Sequence, residues 1–267
     1  MAYVSLTQRD INVLEKIKDP EYDPSHAAQV DPSLPKDPHV TDSEVLQSLL
    51  QQERDIILSI QNLELQNAKA LSNKTTPDFD IAEEYRKSIA KFDQLIQDHP
   101  QYASARNNRA QALRRLYGDG LLISNAPKSP QALLQNIDNT ERIIAAKILL
   151  GDLDRAISLL TPTTPQSKLS PQAAKTLSMA HTQRAAIYLM TSKLMFDRSV
   201  SVDAERPEAG WSKLDFEEHA SRDFAMGGRY GNEIAKGLAV STNPTAKLCG
   251  QMVREAMKKE YGPDYAS

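Results

Sequence analysis

The chain reads as all-α, a short solenoid of about three antiparallel helix pairs with insertions and capping helices, and three observations predict this. Apolar residues keep helical spacing in run after run, the signature of helices that bury one face. Two segments share an ending in which a small residue precedes an aromatic by four positions: Ser88, Phe92, Leu95 and Pro100, then Ala220, Phe224 and Gly227. Between them, Ala103 to Tyr117 is dense in small residues, as expected where helices touch closely. The 10 glycines and 6% aromatics fit helices packed through Ala and Leu.

Composition excludes several functions. At 267 residues the chain is long enough for a substantial core. A net charge of -3 leaves no electrostatic footprint for nucleic acid. The single cysteine, Cys249, has no internal partner for a disulfide, which points to a reducing compartment. Met1 to Gln8 lacks the basic start and apolar core of a secretory signal. No window approaches the roughly 20 apolar residues of a membrane span. The expected location is cytoplasmic, with the nucleus open.

The elements follow in order. Ser5 with Gln8, or Thr7 with Asp10, caps a short helix over residues 1–18, whose stripe is Ile11, Leu14 and Ile17. Residues 19–42, with Pro20, Pro24, Pro32, Pro35 and Pro38 among acidic residues, read as an extended linker that buries little surface. The main domain is expected over 43–261, with a tail at 262–267. Thr41 and Glu44 have capping-box spacing, opening a long pattern from Val45 through Leu49, Ile56 and Ile60 to Leu71. The first helix of repeat one is expected around Glu64 to Ser72. Its partner is expected over Ile81 to Asp98, capped by Asp78 or Asp80.

Repeat two opens at Ala103 and its first helix stops at Gly118. An insertion, 119–140, carries Gly120, Pro127 and Pro130. A helix over Glu141 to Leu150 then leads into Gly151-Asp152, a normal opening for the second half of a repeat; the alternative is a separate helix hairpin over Asn139 to Leu160. Repeat three opens near Gln172 and places Ala185 and Tyr188 at its small and aromatic positions. A second insertion, 198–210, precedes a partner helix at Lys213 to Arg229, and Asn232 to Tyr261 caps the stack.

These spacings are those of tetratricopeptide repeats. The segment Ala103-Ser104-Ala105-Arg106-Asn107-Asn108-Arg109-Ala110-Gln111-Ala112 resembles the second repeat of the tetratricopeptide repeat protein 36 family. So do Ala220-Ser221-Arg222-Asp223-Phe224 and the tail Asn243-Pro244…Lys247-Leu248-Cys249…Met252. The resemblance covers most of the chain apart from the two insertions. It implies a protein without catalytic activity or cofactor, linked to DnaK-class heat-shock chaperones and to protection of a tyrosine-catabolic enzyme.

The candidate site is a peptide-binding groove at Asn108, Arg106, Arg109 and Arg184. Domains that hold an acidic chaperone tail use Lys, Asn and Arg donors that converge on two carboxylates. Asn108 matches the central Asn of that clamp, whereas Glu64 and Ala68, then Met179 and Gln183, stand where other donors are needed; Arg106, Arg184 or Lys175 are the substitutes the sequence offers. No catalytic or metal site is expected. His219, Ser221 and Asp223 do not share a helix face, and His26, His39, His99 and His181 lack a metal-ligand pattern. Cys249 reads as a buried packing residue and Arg114-Arg115 as a solvated pair. The expected function is a protein-binding adaptor or co-chaperone-like scaffold, with a structural subunit of a larger assembly as the alternative.

Overall fold

The computed structural model describes residues 28–73, 79–127, 129, 131–164, 167–196 and 198–261. The expected helix over 1–18, the first half of the linker with His26, Asp78, Pro130, Pro165 and the 262–267 tail lie outside the described residues.

Among the described residues there are eight α-helices. They are α1 Ser43–Ser72, α2 Ile81–Asp98, α3 Ala103–Tyr117, α4 Asn139–Leu160, α5 Pro171–Leu194, α6 Lys213–Arg229, α7 Glu233–Thr242 and α8 Pro244–Tyr261. Each packs on its successor, and α3 also meets α5. That is the all-α solenoid pattern, pairs α1/α2, α3/α4 and α5/α6 followed by two terminal helices. Local chemistry starts most helices. Asp80, Asp138, Ser170 and Asn232 each accept from first-turn N–H groups, and Ser212 with Asp215 forms a full capping box.

The core runs along the stack. Leu49 and Ile56 of α1 pack with Phe92, Leu95, Ile96, Tyr102 and Ala105. Leu113, Leu149, Leu153, Leu177, Ile187 and Phe216 carry the central cluster through α3 to α6. Ala103, Ala110 and Ala185 are fully buried, so a side chain larger than a methyl has no space at these crossings.

Several elements differ from the sequence expectation. Asp42, not Thr41, caps α1, accepting from Glu44 N–H at 2.9 Å and Val45 N–H at 3.1 Å. The packed part of α1 is its Leu49–Ile60 stretch, well before Glu64 to Ser72, because Leu49 and Ile56 are the residues that reach α2. Helix α4 runs unbroken through Gly151. A glycine costs a helix only about 1 kcal/mol, and burial of Leu149, Leu150 and Leu153 on either side outweighs that. Cys249 is exposed, on a helix α8 whose Leu248 and Met252 are also exposed.

The second half of the expected linker runs through turns and bends, with Leu34 N–H donating to Asp31 O at 3.2 Å, and it is docked. Ala28 N–H donates to Arg229 O at 3.2 Å, and Val30 forms a parallel bridge with Leu169. Lys36 O accepts from Ser170 Oγ at 3.0 Å, and His39 Nε2 contacts Leu159 O at 2.8 Å. This strap thus passes the ends of α6, α5 and α4 before it enters α1. Asp37 is buried in it; burial pushes its carboxyl up, against the N–H groups of His39, Val40 and Ala103 that hold it down. The two insertions also meet. Ile123 and Val200 form an antiparallel bridge, with Ser201 N–H donating to Leu122 O at 2.9 Å. Leu121, Leu122 and Ile123 are fully buried, so the first insertion is part of the core.

Candidate functional site

A groove of about 720 Å³ opens where α1, α3 and α5 lie side by side. Ile57, Ile60 and Glu64 line it from α1, Asn108, Gln111 and Arg115 from α3, and Lys175 and Met179 from α5. The spacing of 108, 111 and 115 puts these three on one face of α3. The groove has apolar walls, half-buried amides and an exposed rim at Gln61, Gln111 and Lys175.

Two carboxylates organise it. Glu53 is buried and accepts from Tyr102 OH at 2.6 Å and from Asn108 Nδ2 at 2.7 Å. Arg115 donates its Nε and Nη2 to Glu64 at 2.6 and 3.0 Å, and Tyr85 OH donates to the same carboxylate at 2.5 Å. The Arg115 guanidinium holds Glu64 below the usual carboxylate range, while burial and then Glu64 push the Tyr85 phenol up.

Of the four residues singled out from sequence, only Asn108 lines this groove. Arg106 and Arg109, one turn apart on the other face of α3, both donate to buried Asp152 of α4, at 3.1 Å and at 2.6 and 2.7 Å. Arg109 also reaches Asp93 at 2.6 Å. Arg184 donates to Asp223 at 2.7 and 2.8 Å and to Asp154 at 2.8 Å. These arginines join helices; they do not present charge to a ligand in the groove. Lys175 reaches the rim and Met179 the wall, whereas Gln183 is buried and donates to Asn107 Oδ1 at 2.8 Å.

Sequence reasoning missed Glu53 and Arg115. Arg115 is seven residues, two turns, from Asn108, and that spacing alone marks it as a groove residue. The Arg114-Arg115 pair is not free in solvent, since Arg114 forks onto Asp119 at 2.7 and 2.8 Å. Glu53 is not legible in the sequence because the packed part of α1 is set by Phe92 and Tyr102, which are distant in the chain.

The other constellations do not converge. His219 stacks on Trp211 at 3.9 Å, Ser221 Oγ donates to Ala239 O at 2.8 Å, and Asp223 faces Arg184 and His181. Among the described residues no group of three or more His, Cys, Asp and Glu could hold a metal ion, and no helix is long and apolar enough to cross a membrane.

Comparison with known proteins gives relatives that span most of the chain. The chain is 37% identical over 265 residues to the L-tyrosine degradation gene cluster protein hmgX of Aspergillus fumigatus, covering 96% of this chain and 93% of that protein. It is 26% identical to the tetratricopeptide repeat protein 36 homolog of Drosophila pseudoobscura, over 95% of each. It is also 26% identical to tetratricopeptide repeat protein 36 of Xenopus tropicalis, over 78% of this chain and 69% of that protein. No family model and no solved structure matches the chain.

Proposed function

The chain belongs to the tetratricopeptide repeat protein 36 family, and from that premise we propose that it is a cytoplasmic, non-enzymatic scaffold whose α1/α3/α5 groove holds a segment of a protein partner. The observation that carries this is the groove itself, with an apolar wall at Ile57, Ile60 and Met179 and an amide rim at Gln61 and Gln111. No pair of titratable groups is left there to move a proton. Glu64 is committed to Arg115 and Tyr85, and Glu53 to Tyr102 and Asn108.

The held segment is neutral or basic. A carboxylate clamp would use Asn108 Nδ2, which already gives one of its two N–H groups to buried Glu53, so the ligand carboxylate would sit beside another carboxylate. Two like charges at 4 Å near a protein surface repel by about 4 kcal/mol. A charge-assisted hydrogen bond returns only about 1.5–3 kcal/mol. Repulsion wins, so the acidic tail of a heat-shock chaperone is a poor ligand for this groove. The name of the Aspergillus relative directs the choice of partner to the proteins of L-tyrosine degradation.

The test is binding of each purified L-tyrosine-degrading enzyme from the same source, compared between the wild type and Gln61→Lys/Gln111→Lys, which repels a basic segment and removes the amide rim. Both positions are exposed, so the fold tolerates the change. At least one enzyme should bind the wild type and lose affinity with the variant. Binding by none, or equal binding by both, sinks the reading. A second reading, a permanent subunit, is favoured by α8, which exposes Leu248, Met252, Val253 and Met257. In that case binding would survive the groove variant and be lost on removal of α8.

A further inference from the structure

A second cavity, of about 820 Å³, lies apart from the groove, between the first insertion, the start of α4 and the end of α5. Arg142 lines it and is only 6% exposed. Its Nη1 donates to Leu121 O at 2.7 Å and its Nη2 to Asn139 Oδ1. Both acceptors are neutral. Among the described residues no carboxylate reaches ion-pair distance of this guanidinium, and its remaining three N–H donors have no acceptor. The neighbouring acids are committed elsewhere: Asp138 accepts from Thr140 and Glu141 N–H, Asp119 is held by Arg114, and Glu141 accepts from Tyr117 OH and Arg86.

This is an unfavourable place for a cation. Burial disfavours the charge and pulls the guanidinium pKa down. Arg142 also sits in the first turn of α4, where the helix dipole is positive and anions are preferred. Arginine nonetheless stays protonated, so a full charge faces the cavity with no carboxylate paired to it, although Asp119 and Asp138 also line the cavity. The other walls set apolar Leu134, Ile137, Met190 and Leu194 beside polar Gln131, Gln135, Asn136 and the carboxylates Asp119 and Asp138, which are already held by Arg114 and by backbone N–H groups. The volume falls within the range of small-molecule sites, roughly 300–1,000 Å³.

We propose that this cavity binds a small organic carboxylic acid with an apolar body, its carboxylate received by the free donors of Arg142 and its body set against Ile137, Met190 and Leu194. The guanidinium fork matches a carboxylate in two-point geometry, and the ligand would supply the charge that the fold omits. The site is independent of the groove and of its partner.

The experiment measures the thermal midpoint of the full chain with phenylacetate, 3-phenylpropionate, the neutral phenylacetamide and inorganic phosphate, and titrates each by calorimetry. At least one aryl carboxylate should raise the midpoint, by about 5 °C at a hundred times its Kd, while the amide does not. Arg142→Met, which keeps an apolar side chain of similar reach, should weaken binding at least tenfold. If that variant does not fold, Met190→Trp at the cavity rim should block binding instead. No carboxylate response at millimolar concentration overturns the proposal. So does an equal response to the amide, binding of phosphate alone, or full binding by the folded variants.

Discussion

Asp152 shows how one buried carboxylate can set the use of a neighbouring helix. It lies in α4 with its side chain 2% exposed, and it takes both Arg106 and Arg109 of α3. Removing one partner of a buried pair costs more than the pair contributes, because the remaining charge is stranded. The two arginines keep some contact with water and Arg109 retains Asp93, so Asp152→Ala should cost about 3 kcal/mol, the low end of the range for such changes. Urea unfolding checks it; a loss under about 0.5 kcal/mol would mean the arginines find other partners. Asp223 makes a pH prediction. Burial pushes its carboxyl up, but Arg184 and His181 outweigh burial and hold it below the usual range. A carboxylate depressed by folding stabilises fully above its unfolded pKa of about 4, and that stability is lost as pH falls through the folded value. Wild type should therefore lose thermal stability below about pH 4 more steeply than Asp223→Asn, although the variant is less stable at pH 7. Parallel pH profiles would remove Asp223 from the account.

At the scale of elements, α6 owes its position to two consecutive glycines. A Cβ on Gly227 would meet Thr182 Oγ1 at 2.5 Å, and one on Gly228 would meet Lys236 Cα at 2.9 Å and its N at 3.0 Å. The first clash is with a side-chain end, the second with the backbone of α7, which cannot step aside. Gly228→Ala gains about 1 kcal/mol of helix propensity, against about 1–3 kcal/mol for overpacking. The expected result is a lower midpoint in thermal unfolding, and a more stable variant would show that α7 is not held this closely. Gly227 was legible in the sequence as the end of the Ala220, Phe224 pattern, because small residues mark crossings. The bounds of α2 and α3 were legible from local signals, the cap Asp80 and the stop Gly118. What was not legible depends on contacts distant in sequence. The face of α3 that carries Arg106 and Arg109 is decided by Asp152, and the packed part of α1 by Phe92 and Tyr102. Asn108 lines the cavity between α1, α3 and α5, and its partner, Glu53, is not legible without the register of α1.

At the scale of the whole molecule, a repeat stack is nearly one-dimensional, since each unit touches only its neighbours and unfolding can begin at an end. Two features of this chain work against that. The insertions pair through Ile123 and Val200, joining the second and third helix pairs away from the main seam. The strap of residues 28–42 runs from Arg229 past Leu169 and Leu159 into α1, joining the third pair to the first. Such ties make partial opening costly, and the full chain should unfold in a single step in urea. Trp211 packs on Tyr188 and Phe216 and so reports the third pair alone, whereas far-ultraviolet circular dichroism reports every helix. In the wild type the two signals should change together. Deleting residues 1–40 removes the strap and leaves Asp42 to cap α1. Circular dichroism should then fall at a lower urea concentration than Trp211 fluorescence, as α1 and α2 open while the third pair stays folded. Coincident transitions at the wild-type midpoint would show that the helix seams alone carry the cooperativity, and that the strap binds the stack without holding it together.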